Sequence, residues 1–61
     1  MKMNDTVKNK TGIYDNYRHI DPGTKGIVIG LSKSKALVSF EISAETHQMA
    51  LVSQNDLEKI K

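Results

Sequence analysis

Six consecutive residues, Tyr14-Asp15-Asn16-Tyr17-Arg18-His19, hold most of what this chain could use for recognition. They include both of its tyrosines, its only arginine and one of its two histidines. Tyrosine and arginine combine contact area, stacking and hydrogen bonding, and they are enriched where binding energy concentrates. Tyr14, Tyr17, Arg18 and His19 are therefore the candidate partner-binding residues, with Lys33 and Lys35 of a later turn beside them. Either tyrosine alone could instead fold back as a lid over an open end of the core. Arg18 has a structural outlet too, an ion pair with Asp15 or Asp21.

Catalytic chemistry finds little to work with. The chain has no cysteine, no glycine-rich phosphate loop and no Gly-x-Ser-x-Gly elbow. His19 and His47 lack the spacing and the companion ligands of a metal site. Asp15 and Asp21 share one loop, where short acids serve turns by accepting bonds from nearby backbone amides. The expectation is a protein that is not an enzyme, with no catalytic residue, no metal and no cofactor.

These residues need a scaffold, and 61 residues allow one domain, 1–61, with an ordered core over about 5–60. A domain this small buries only about 60% of the surface its unfolded chain exposes. Without disulfides that favours a reducing, cytoplasmic setting, and self-association is an option. Met1-Lys2-Met3-Asn4-Asp5 has no apolar stretch behind it, which argues against a signal peptide. The longest apolar run, from Gly26 to Leu31, is too short to span a bilayer, so no membrane partner is expected. Net charge is +2, with an excess of +4 in residues 1–35 and −2 in residues 36–61. That split could produce a basic face, with Lys8, Lys10 and Lys25 as possible phosphate contacts.

Hydrophobic periodicity points to strands. In Lys35–Ile42, Ala36, Val38, Phe40 and Ile42 fall on one face, and Ser39 and Glu41 on the other. Gly26–Leu31 places Ile27, Ile29 and Leu31 on one face, with Gly26 and Gly30 opposite, where they permit a bend or bulge. His47–Val52 reads as a third strand, and Asp5–Asn9 as a weaker one with Val7 inward. Ser53–Asp56 suits one 3-10 turn before a short last strand. Asp21-Pro22-Gly23 makes a turn, which leaves Thr11–Thr24 as a loop long enough to be functional or to carry structure of its own. The expected core is Val7, Ile13, Ile20, Ile27, Ile29, Leu31, Leu37, Val38, Phe40, Ile42, Met49, Leu51, Val52, Leu57 and Ile60.

The order of these segments resembles SH3-like small barrels. It is most similar to the superfamily of photosystem I subunit IV and the ferredoxin–thioredoxin reductase variable chain. The matching residues are Pro22-Gly23, Gly26-x-Val28, Val38-x-Phe40-Glu41 and Asp56-Leu57-Glu58, all of them turns, bends or core positions. Gly23-Thr24-Lys25-Gly26-Ile27-Val28 is loosely similar to the KOW module, with its glycines closer together. The resemblance implies an all-β, five-stranded SH3-like barrel with one 3-10 turn before the last strand. It further implies docking on a larger protein, as accessory subunit or inhibitor, by a monomer or weak homo-oligomer. The other expectation is nucleic-acid binding, with the lysines following phosphates and the tyrosines stacking on bases. A net charge of +2 is low for a dedicated nucleic-acid domain.

Overall fold

A computed structural model describes residues 1–60; Lys61, the last residue of the expected domain, lies outside the described residues. The chain is all-β. Its strands are β1 (Thr6–Asn9), β2 (Ile13–Tyr14), β3 (His19–Ile20), β4 (Lys25–Leu31), β5 (Lys35–Ser43), β6 (Thr46–Ser53) and β7 (Leu57–Lys59), with a 3-10 turn at Gln54–Asp56. Five strands form one antiparallel sheet in the order β6-β5-β4-β1-β7, and β2 and β3 form a separate two-stranded ribbon. The sheet is open rather than a closed barrel: β6 and β7 are its outermost strands, and no ladder joins them among the described residues. The count also departs from the expected five strands, because the long loop folds part of itself into the ribbon. Among the described residues no helix is long and apolar enough to cross a membrane.

The core comprises Val7, Ile20, Val28, Ala36, Val38, Phe40, Ala50, Val52 and Leu57, with Ile13 packed against it. Strand β5 buries Ala36, Val38 and Phe40 as its alternation predicts, while Ile42 stays exposed where the β5–β6 register shifts between Glu41 and Ser43. Strand β4 inverts the expectation. Gly26 and Val28 face inward, and Ile27, Ile29 and Leu31 are exposed.

The reason lies at Gly26, which pairs with Phe40, the largest fully buried side chain. A Cβ built on Gly26 would stand 2.5 Å from a Val38 methyl and 3.1 Å from the Phe40 ring. The glycine makes room for the phenylalanine, and with a two-residue period that choice turns Ile27 outward. The register then shifts between Val28 and Gly30, the bulge that the glycines permit. Leu31 pairs with buried Ala36 at the end of the strand and remains exposed. In β6, Ala50 and Val52 are the inward residues, so Met49 and Leu51 also leave the expected core, and Leu37 and Ile60 are only half-buried.

Candidate functional site

The loop between β1 and β4 is built from its base upward. Asn9 ends β1 with 1% of its surface exposed, the one buried polar residue of the core. Its Nδ2 donates to the Thr11 carbonyl at 2.6 Å, and its Oδ1 accepts from the Thr24 amide at 2.9 Å. Its backbone carbonyl takes the Gly23 amide at 2.8 Å. One asparagine thus ties together the two ends of the segment that carries the candidate residues. Sequence reasoning missed it, because an asparagine ending a short weak strand looks like ordinary turn punctuation. The return limb closes on Asp21-Pro22-Gly23-Thr24. The Thr24 amide donates to the Asp21 carbonyl at 3.3 Å, and Gly23 has φ 84°, the left-handed value that the third residue of a type II turn requires.

Between these ends the ribbon β2–β3 pairs Ile13 with Ile20 and Tyr14 with His19. Ile20 is fully buried and anchors the ribbon to the core. The Tyr14 and His19 rings meet edge to face with centroids 4.8 Å apart. The Tyr14 hydroxyl donates to Asp21 Oδ1 at 3.1 Å, and His19 Nε2 lies 3.3 Å from the same oxygen. The tyrosine ring also lies over Gly12, where a Cβ would collide with it. Partial desolvation, followed by the hydrogen bond and the negative charge of Asp21, raises the Tyr14 hydroxyl above its ordinary pKa. Tyr14 is packed on its own loop, with 59% of its surface still exposed.

The apex is Asp15 to Arg18. Asp15 Oδ1 accepts from the amides of both Tyr17 and Arg18 at 2.8 Å, the backbone-mimicking turn expected of a short acid here. The Tyr17 amide is the main reason the Asp15 carboxyl sits below its ordinary pKa; desolvation opposes this and Arg18 adds to it. The Arg18 guanidinium bridges to Asp15 Oδ2 at 3.0 Å and donates to the Met49 carbonyl of β6 at 3.1 Å. Gln48 Nε2 donates to the Tyr17 carbonyl at 3.2 Å. The apex is thus clipped to β6 from both sides, and Tyr17 stands out of it with 85% of its surface exposed. Arg18, expected to meet a partner, has its guanidinium engaged within the chain.

The remaining candidates lie elsewhere. Lys33 and Lys35 are exposed at the turn between β4 and β5. Gln54 secures this turn by donating from Nε2 to the Ser32 and Lys35 carbonyls at 3.0 and 3.3 Å. The apex joins β6 at residues 48–49 and this turn joins just past its end at 54, and no hydrogen bond or ion pair links the two among the described residues. Lys8 and Lys25 are direct neighbours across the β1–β4 ladder, and Lys8 also pairs with Glu58 at 3.0 Å. Lys10 is exposed just beyond β1. His47 pairs with Glu41 across β5–β6, whereas His19 pairs with Tyr14 in the ribbon. Among the described residues no group of three His, Cys, Asp or Glu could hold a metal ion.

No protein-family model matches this chain, and neither the curated proteins nor the solved structures yield a match.

Proposed function

We propose that this chain is a non-catalytic docking module of the SH3-like type that grips a larger protein through the apex around Tyr17. The strand order β6-β5-β4-β1-β7, with a ribbon inside the first long loop and a 3-10 turn before the last strand, supports the SH3-like reading. The observation that carries the docking reading is Tyr17 itself. A large amphipathic ring is held out in solvent while its backbone is fixed, the amide by Asp15 and the carbonyl by Gln48. Exposing such a ring offers the fold nothing, whereas fixing it beforehand lowers the ordering cost of inserting it into a pocket. His19 and Tyr14, paired at the base of the same loop, would supply a polar rim. The binding role of Lys33 and Lys35 is then secondary steering of an acidic partner.

The second reading, nucleic-acid binding, draws on one observation, the side-by-side placement of Lys8 and Lys25. Against it, Glu58 neutralises Lys8 and Arg18 is engaged with Asp15. The test is recovery of the tagged chain from its own cells, with and without nuclease, beside a Tyr17→Ala variant. One stoichiometric protein that survives nuclease and is lost with Tyr17→Ala supports docking. Recovery of RNA or DNA that disappears at high salt and on replacing Lys8, Lys10 and Lys25 would transfer the function to the lysines.

A further inference from the structure

Turning Ile27, Met49 and Leu51 away from the core leaves an apolar stripe across the outward face of β4, β5 and β6. Register places Ile27, Ser39 and Met49 in one cross-strand row, and Gly30, Leu37 and Leu51 in the next. Ile29, left unpaired by the bulge, is exposed as well. Met49 and Leu51 show 60% and 59% of their surface. From the fractional exposures this stripe presents roughly 400 Å² of apolar surface, on a molecule with 4306 Å² in all, enough to mark an interaction face.

We propose that a second copy of this chain covers this face, in a two-fold dimer with β5 packed antiparallel on its counterpart. The outward residues of β5 run Lys35, Leu37, Ser39, Glu41, and about Val38 they are complementary, large against small and positive against negative. A two-fold axis lying in the interface, perpendicular to the strands at Val38, sets Leu37 of each copy over Ser39 of the other. The same axis brings Lys35 of each copy over Glu41 of the other. Leu37 is half-buried beside Gly30 and Leu51, and is the larger member of its facing pair. Ser39 is the smaller member and floors a depression of about 140 Å³ walled by Ile27, Lys25, Glu41 and His47. The leucine and the hollow are thus self-complementary, as an isologous interface requires. Lys35 and Glu41 take part in no ion pair among the described residues, so both charges are available across the axis. The alternative axis, parallel to the strands, would set lysine against lysine and leucine against leucine.

Face-to-face sheets stack at a spacing of about 10 Å, which suits contact through these side chains. Two copies of the stripe with its rim bury about 800–1,000 Å² in total, the size of a weak, reversible association. The proposal is separate from the Tyr17 reading, since it uses the sheet face and leaves the apex free; the two share only Lys35, which in the dimer pairs with Glu41 and leaves Lys33 to steer the partner of the two apices.

Sedimentation equilibrium of the full chain between about 10 µM and 1 mM tests it. The expected result is reversible dimerisation within that range. Lys35→Glu and Glu41→Lys each weaken it about tenfold, and the two together in one chain restore it, because each variant charge then meets its complement across the axis. Leu51→Lys removes the dimer while the far-ultraviolet circular dichroism stays unchanged, and Tyr17→Ala leaves the dimer constant as it was. A chain that stays monomeric at every concentration overturns the proposal. So does a dimer that the paired reversal fails to restore, or a face shielded only when a different protein is added.

Discussion

Replacing Asn9 with alanine removes two side-chain hydrogen bonds, the one from Nδ2 to the Thr11 carbonyl and the one from the Thr24 amide to Oδ1. Each is worth about 1 kcal/mol net. Thr11 is exposed, so water replaces its lost partner, and the Thr24 amide keeps its 3.3 Å bond to the Asp21 carbonyl, so neither group is left stranded. The expected loss is about 2 kcal/mol. A domain of this length has a total stability of about 3–9 kcal/mol. With a urea slope of about 1 kcal/mol/M, the midpoint followed by far-ultraviolet circular dichroism should fall by about 2 M. Amide exchange from residues 13 to 20 should accelerate more than exchange in β5, because the clamp closes the loop rather than the sheet.

Asn9→Asp adds a check of sign. A buried carboxylate can accept from Thr24 but faces the Thr11 carbonyl without a proton to donate, whereas the neutral acid can supply one. Burial raises the folded pKa above the unfolded value. The variant's penalty is therefore absent below the unfolded pKa and grows as pH rises toward the folded one. A loss below about 0.5 kcal/mol for Asn9→Ala, or an Asn9→Asp variant equally stable on both sides of that range, would refute the clamp.

Three other outcomes are expected. Gly26→Ala drives a methyl into Val38 and Phe40 and should cost about 1–3 kcal/mol in thermal or urea unfolding, against a few tenths for Gly30→Ala, whose Cβ would have 3.3 Å to Leu37. Gly23→Ala meets no atom within 4 Å, yet φ 84° strains it by about 1 kcal/mol, a loss visible in the same unfolding curves. In two-dimensional NMR, the Tyr17 and Arg18 amide signals should titrate together with a midpoint below that of an unstructured aspartate. Because the folded pKa of Asp15 is lowered, its bonds are complete above the ordinary range and are lost as pH falls through the lower value.

The strand positions were legible because β5 alternates cleanly and because Asp21-Pro22-Gly23 can only be a turn. The placement of β4 was not. Ile27, Ile29 and Leu31 outweigh Val28 by hydrophobicity, and only a cross-strand fact, that Phe40 must sit over Gly26, reverses the choice of face. The same limit applied to Met49 and Leu51 against Ala50 and Val52, where size misled and register decided. Within the loop, residue type alone pointed to Tyr14 through His19. It could not say that Tyr14 lies on Gly12 while Tyr17 stands free, nor that Asn9, outside the cluster, holds the loop shut.

Strand β6 ends the sheet on one side, and an outermost strand of eight residues is an invitation to backbone pairing by a stray chain. The guanidinium of Arg18 occupies the Met49 carbonyl in the middle of that strand and seats the loop beside it. The clip that fixes the apex is therefore also a guard against templated aggregation. Any change that loosens it, such as protonating Asp15 or truncating Arg18, uncovers an edge flanked by the apolar Met49 and Leu51. The exposure of this sheet edge is thus set in part by the loop beside it.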